Sequence, residues 1–517
     1  MKDTARAVER EVHKTSYDHL NNFVEQVEEA VARQDYVTAS RLIEADAASA
    51  WFGFRTDRFF AIIGLLLDHL SMPGYFLSTA YEAMANPDPE YLSARTVTVG
   101  APGHDPQQQY FFAIFLMSAY RAVGRHKEAV EQAESVRKHQ GRLVSVLDTH
   151  GGWALSASVQ LGVSAMLAGD FHRALAAFTE AQLHVEVPAF AFLTRDALVK
   201  SALIQAAFGD PYQAQTLLDR AAQIPRTPSW AESQIDVHRD FTQILLCDGE
   251  EARELLEKIQ LHDVGEMWPF YIMAIHHLLE SAGYRDELEY QLLMFETLAL
   301  PMTEGHGFSG SIIPLKRALI AMGAGRRAEA QELIDRADPD MLYTQLIEAA
   351  SHLYAGRPKE ALSRATRLRS KTVGLRLVEL RRLAIVAAAN YMNGDKHDSL
   401  KTLEQAAKVP RGLSAFEVQL FSPETRRLAE QHLTDWPLEE HHASTFLAGL
   451  PDPEAALSER ELVIIREMSR GHTRAQIAEN LYISLNTVKS QLRSAYRKLG
   501  VSSGTSAVRE AERRGLI

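Results

Sequence analysis

Apolar residues recur along most of the chain at spacings of three and four. Examples are Leu203, Ala206 and Ala207 before Gly209, and Leu217, Leu218 and Ala221 after it. That spacing gathers apolar side chains on one face of an α-helix. The helical stretches are punctuated by a repeated motif: glycine, a polar residue, three variable positions, alanine, then an apolar run. It reads Gly124-Arg-His-Lys-Glu-Ala129, Gly169-Asp-Phe-His-Arg-Ala174 and Gly209-Asp-Pro-Tyr-Gln-Ala214. Later copies are Gly249-Glu-Glu-Ala252, Gly325-Arg-Arg-Ala-Glu-Ala330, Gly356-Arg-Pro-Lys-Glu-Ala361 and Gly394-Asp-Lys-His-Asp-Ser399, with weaker ones near Gln34, Gly74 and Gly283. From Gly124 onward the glycines are 45, 40, 40, 34, 42, 31 and 38 residues apart.

Each part of the motif has a physical task. A left-handed glycine ends one helix, the polar residue after it caps the next, and the small alanine lets the two helices approach closely. A helix pair of this kind buries its apolar face only against its neighbours, so the units are expected to stack into a solenoid. The units resemble tetratricopeptide repeats over roughly Asp35 to Val409. That resemblance implies a concave groove suited to peptides or small molecules, and the unequal unit lengths imply an irregular array. Past Val409 the motif fades. Ser422-Pro-Glu-Thr-Arg-Arg-Leu-Ala-Glu predicts one more capped helix, and Leu450-Pro-Asp-Pro-Glu-Ala-Ala456 predicts a linker, since each proline removes a donor and restricts its predecessor. The expected organisation is all-α: a repeat domain over 1–409, a helical extension and linker over 410–456, and a separate domain over 457–517.

The last sixty residues predict four short helices. Ser458-Glu-Arg-Glu461 is a capping-box sequence. It opens a helix with the stripe Leu462, Ile465 and Met468, which Gly471 ends. Thr473 caps a second helix whose inner face is Ile477, Ala478 and Leu481. Ser484 caps a third helix with apolar positions Val488, Leu492, Tyr496 and Leu499, ended by Gly500. A fourth holds Ala507, Val508 and Ala511. Only Tyr482-Ile-Ser484 separates the second helix from the third, and a turn this short with small Ala478 at the contact predicts helix-turn-helix geometry. On the third helix Lys489, Arg493 and Arg497 recur every four residues, with no acid between Ser484 and Lys498. That stripe suits phosphates and base edges while Val488 and Leu492 turn to the core.

Leu457-Ser-x-Arg-Glu461, Gly471, Ile477-Ala-x-x-Leu481, Ile483-Ser484, Thr487-Val-Lys489 and Lys498-Leu-Gly-Val501 stand in this order at fixed spacing. Together they resemble the LuxR/NarL-type helix-turn-helix domain of bacterial transcription regulators, across essentially all sixty residues. The resemblance implies that Thr487, Lys489, Ser490 and Arg493 contact promoter DNA, that Arg497 and Lys498 lie near its backbone, and that the last helix, with Ser506, Val508 and Ala511, serves dimerisation. Two positions depart from the pattern. Gln491 stands where many members carry histidine, and a glutamine can bond adenine bidentately. Gly504-Thr505 stand where Arg or Lys is common.

Charge supports the division. Residues 458–517 carry 11 basic and 6 acidic residues, a net +5, which leaves −17 on the remainder of a chain whose total is −12. A basic tail on an acidic body points to nucleic acid as the tail's partner. With Cys247 as the lone cysteine among 517 residues, a disulfide framework is excluded within one chain and a cysteine-ligated zinc site is not expected. The polar start and the absence of an apolar run longer than Tyr110–Tyr120 predict a cytoplasmic protein without a membrane span.

No Gly-x-x-x-x-Gly-Lys-(Ser/Thr), His-Glu-x-x-His or Gly-x-Ser-x-Gly occurs, and no receiver-like alternation of strands and helices. The histidine pairs His276-His277 and His441-His442 are adjacent and so face apart on a helix. No enzymatic activity, cofactor or metal is therefore expected. Two glycine-flanked aromatics, Trp153 in His150-Gly-Gly-Trp153 and Phe308 in Gly305-His-Gly-Phe-Ser-Gly310, stand out as candidates for an effector pocket. The reading is a promoter-binding regulator, a homodimer or higher homo-oligomer, whose repeats sense a small molecule, peptide or protein. The alternative is a repeat scaffold whose terminal domain serves protein interaction.

Overall fold

The computed structural model of the chain describes residues 2–95, 105–139, 153–184, 188–247, 249–281, 283–438, 446–447, 450, 457–499, 501–513 and 516–517. Among them are 28 α-helices, a few 3-10 turns and no strand, so the all-α expectation holds. Helices adjacent in sequence pack together: Ala154–Ala168 on Phe171–Ala181, Ala191–Phe208 on Pro211–Gln223, and Arg376–Met392 on Lys396–Ala407.

The repeat glycine is left-handed at most copies, and the residue after it caps the next helix where it is aspartate. Gly169 closes one helix with φ +81°, a conformation that favours glycine, and the Asp170 carboxylate then accepts the Arg173 amide at 3.1 Å to cap the next. Asp395 repeats the arrangement on the Asp398 amide at 3.0 Å. The alanines Ala129, Ala174, Ala214, Ala252, Ala330 and Ala361 are all buried, which is the close helix approach the spacing called for. Ser399 fills the same place in the last copy, and its hydroxyl donates to the Ala387 carbonyl at 2.9 Å. Gly209 and Gly74 depart from the left-handed glycine, Gly74 with φ −64°, and Arg326 and Arg357 follow their glycines without a side-chain cap. At Gly209 φ is −107°: Pro211 holds Asp210 extended, and the Gln205 side chain, not a left-handed turn, takes the Asp210 amide at 2.9 Å.

The chain divides into two compact units. One comprises Met1–Leu278 with Ala299–Gly310, the other Leu279–Leu298 with Ser311–Ile517. The division thus falls inside the span 1–409 expected to form one repeat domain. In the first unit the helix Ala191–Phe208 is buried along nearly its whole length, including Arg195 and Lys200. In the second, Arg376 binds Glu417 at 2.5 Å and the Gly412 carbonyl at 2.6 Å, which ties the last repeat to the following turn. The helix predicted after Ser422 is present as Pro423–His432, with Ser422 as its cap. His441-His442, Gly500 and most of the linker Leu450-Pro-Asp-Pro-Glu-Ala-Ala456 lie outside the described residues. Among the described residues no helix is long and apolar enough to cross a membrane.

Candidate nucleic-acid interface

The four helices expected at the C-terminus are Glu459–Ser469, Arg474–Asn480, Leu485–Leu499 and Gly504–Arg513. They enclose their own core. Ile464, Ile465, Ile477, Val488, Leu492, Ala495 and Leu499 are almost fully buried, with Ala507 and Ala511 of the last helix closing it. The local signals behave as written. Ser458 and Glu461 form a reciprocal capping box, as do Thr473 and Gln476, and the Ser484 hydroxyl accepts the Thr487 amide at 3.0 Å. Gly471 ends the first helix at φ +85°. The turn between the second and third helices is made by Tyr482, left-handed at φ +52° and 96% exposed, while Ile483 folds back to the Ala478 carbonyl at 3.0 Å.

Two glutamates lock this geometry. Glu461 also accepts the Lys498 ammonium at 2.8 Å, which pins the start of the first helix to the end of the third. Burial pushes the Glu461 carboxyl up, but the bonds from Lys498, Ser494 and Ser458 outweigh it and hold it below its ordinary value. Glu467 accepts from Asn480 at 3.0 Å, His472 at 2.8 Å and Arg470 at 2.7 Å, which joins the first helix to the second. The bonds from Asn480 and His472 hold its carboxyl low.

The third helix turns its basic stripe outward. Lys489, Ser490, Arg493 and Arg497 are exposed, and no carboxylate among the described residues pairs with the three cations. Thr487 is half-buried with its hydroxyl 2.7 Å from that of Ser484, and Gln491 sits half-buried at the edge of the face. Lys498 does not join the stripe, since Glu461 already holds its ammonium. The domain's own acids thus tie Arg470 and Lys498 and leave the outward face unneutralised.

A shallow cleft of about 380 Å³ runs beside this face, lined by Lys489, Arg493, Tyr496 and Arg497 and by Arg474 from the start of the second helix. Arg474 was not singled out from sequence. The signal was available: a cation in a first turn with no acid stands at the unfavourable positive end of the helix dipole. Asn486, exposed beside Ser490 and Arg493, was also passed over.

The remaining candidates fall elsewhere. Ser506 is exposed and Val508 half-buried, but Ala511 is fully buried in the domain's own core and offers no surface to a second copy. Gly504 has a packing reason, because a Cβ there would lie 2.4 Å from Met468 Cε and 3.0 Å from the Tyr496 hydroxyl. Trp153 and Phe308 are both core residues in the first unit. Trp153 is stacked 5.5 Å from Phe52 and 5.8 Å from Tyr110. Phe308 packs on Phe171, Phe208 and Phe270 at 5.4, 5.6 and 5.0 Å. The glycines around Phe308 serve that packing: a Cβ on Gly310 would meet the Thr303 carbonyl at 2.0 Å, and the Phe308 amide bonds the Leu167 carbonyl at 2.8 Å.

A tight two-helix turn, a third helix with an exposed cation stripe that is unpaired among the described residues, and a self-contained core define a helix-turn-helix domain. Residues 455–511 match the family described as bacterial regulatory proteins, luxR family, so the chain ends in a domain of that family. The chain is 39% identical over 64 residues to the transcriptional regulatory protein YdfI of Bacillus subtilis, covering 12% of this chain and 30% of that protein. It is 44% identical over 61 residues to the HTH-type transcriptional activator RamA of Corynebacterium glutamicum, 12% of this chain and 22% of that one. It is 45% identical over 56 residues to the nitrate/nitrite response regulator protein NarP of Escherichia coli, 11% and 26%. The chain spans between about a fifth and a third of the length of these relatives.

Proposed function

We propose that the chain is a transcription regulator that binds promoter DNA through the third helix of its C-terminal domain. The observation that carries this is the exposed stripe Lys489, Arg493 and Arg497, unpaired among the described residues, on a helix that the turn at Tyr482 and the core beneath it hold outward. Placed in the major groove, Arg493 and Gln491 reach base edges, while Lys489, Arg497 and Arg474 meet phosphates. Thr487 and Ser490 contact the DNA from the start of the same helix. The relatives named above are regulators, and the function requires no chemistry of bonds made or broken.

The helical array is the sensing half. It binds a small molecule, peptide or protein and alters the availability or spacing of two DNA-binding domains in a homodimer, with Ser506 and Val508 at the exposed side of the last helix. The experiment is selection of genomic fragments in vitro by the full chain at one stated salt concentration. Enrichment of a dyad sequence supports the reading. Failure of both the full chain and the fragment 450–517 to enrich any sequence refutes it.

A further inference from the structure

Within the first unit, six helices line a cavity of about 860 Å³: Ala47–Gly53, Thr56–His69, Pro106–Ala122, Ala154–Ala168, Ala191–Phe208 and Ala231–Ile244. That volume lies within the range of small-molecule sites, about 300–1,000 Å³. One wall is aromatic. Trp51, Phe52, Tyr110, Phe111 and Phe192 line it. Their rings brace one another, with Trp51 6.2 Å from Phe111 and Phe52 6.1 Å from Phe111. Trp153 and Phe190 back this wall without lining the cavity.

The rest of the lining is largely polar, with Arg55, Asp57, Asp196, Asp263 and Glu266 among it. Arg121 has four of its five N–H donors bonded, to Glu266 at 2.7 Å, Gln160 at 3.1 Å, Ser164 at 3.2 Å and Ser118 at 3.3 Å, so it is close to saturated. Lys200 is not. Its side chain is 6% exposed, and among the described residues its ammonium, which carries three donors, binds only Asp196. His238 is part of the same lining. Its Nε2 donates to the Val264 carbonyl at 3.2 Å, which leaves Nδ1 as an unpartnered acceptor. Burial first, then the Lys200 charge, holds this imidazole well below its usual range and therefore neutral.

A buried lysine with idle donors is costly, and an apolar residue of similar volume serves a helix interior at least as well. Asp196 pairs with Lys200, Glu266 with Arg121 and Asp57 with Arg55, and Asp263 adds a further negative charge to the lining, so an added carboxylate would meet these acids as well as Lys200. An uncharged acceptor meets only the idle donors. We propose that this cavity binds a neutral, flat, mostly apolar organic molecule carrying a carbonyl-type hydrogen-bond acceptor, with its body on the aromatic wall and its acceptor on the Lys200 ammonium. The proposal rests on the reading of the helical array as the sensing half.

The test uses 6-propionyl-2-(dimethylamino)naphthalene, a neutral naphthalene with one ketone, whose emission reports both polarity and hydrogen bonding at that ketone. Titrated with the full chain, it should bind saturably at one site with emission blue-shifted from water. Lys200→Met should weaken binding about tenfold or more, and shift the bound emission further to the blue as the ketone loses its donor. 2-(Dimethylamino)naphthalene, which lacks the ketone, should bind wild type and Lys200→Met alike. Ser233→Trp, at an exposed position on the cavity rim, should abolish saturable binding while the helical circular-dichroism spectrum stays unchanged. Unchanged binding in Ser233→Trp, or no saturable binding by the wild type, overturns the proposal, and so does a Lys200→Met variant with wild-type affinity and emission. Promoter affinity is measured separately on the same samples, so loss of the ligand site and loss of the regulator reading are told apart.

Discussion

Arg474 opens a helix whose first turn contains no acid, so its charge opposes the helix dipole at a cost of roughly 0.3–1 kcal/mol. A phosphate placed in the adjoining cleft turns that cost into attraction. Arg474→Ala should therefore leave the thermal midpoint of the domain unchanged or slightly higher, weaken DNA binding about equally on all sequences, and reduce the slope of log K against log salt by about 1. Arg493→Ala should behave differently. It should cost about 1–3 kcal/mol on the selected site and relax preference at a single base position, which fluorescence anisotropy on cognate and substituted duplexes measures. Equal losses on cognate and scrambled DNA would make Arg493 a phosphate contact instead. At this scale legibility was uneven. The outward stripe was readable because periodicity on one helix is a local property. The burial of Trp153 was not, because Phe52 and Phe190, which cover it, come from distant stretches of chain. Lys498 looked as free as Arg497 in sequence, and only the fold brings Glu461 to it.

Element boundaries depend on neighbours a few residues away, and they were accordingly legible. Ser458 with Glu461, Thr473 with Gln476 and Ser484 with Thr487 all cap the helices they were expected to cap. Gly209 was misread as a left-handed stop because a glycine in the motif does not reveal that Gln205 satisfies the next amide. The two-unit division within the repeats was likewise invisible, since the motif runs through it unchanged. Two predictions belong here. Ala174→Leu forces a larger side chain into a fully buried helix contact and should lower stability by about 1–3 kcal/mol, read from chemical denaturation. The Glu461–Lys498 clamp makes the terminal domain acid-labile. The folded Glu461 carboxyl lies below its ordinary 4.5, so its contribution is complete above that value and is lost as pH falls through the lower folded one. The melting temperature of the fragment 450–517 should drop between about pH 5 and pH 3, and Glu461→Gln should flatten that drop while lowering stability at pH 7. An unchanged pH profile in Glu461→Gln would remove the clamp from the account.

For the whole molecule the decisive quantity is where the charge sits. A protein of net charge −12 binds a polyanion only if its cations are concentrated, and here residues 458–517 hold +5 against −17 on the rest. Four cations, Lys489, Arg493, Arg497 and Arg474, line the face offered to DNA. Each phosphate neutralised releases counterions, so with Arg493 on a base edge and the other three on phosphates log K should fall with log salt at a slope near −0.9 per contact, or about −3 for one domain and about −5 for two domains on a dyad site. The measurement therefore counts domains on the DNA as well as testing the face. A slope near −5 on the selected site, falling toward −3 when one half-site is scrambled, is the outcome for a dimer. A slope near −3 on both sites means one domain engages at a time. A slope shallower than about −1 would take the stripe out of the interface altogether. The acidic remainder adds a repulsion that salt screens over about 10 Å at 0.1 M. The fragment 450–517 should accordingly outbind the full chain on non-specific DNA at low salt, and the gap should close as salt rises. A gap that persists at high salt would mean the repeats restrain the domain by contact rather than by charge, and the ligand proposed for the Lys200 cavity would then be the first candidate to release it.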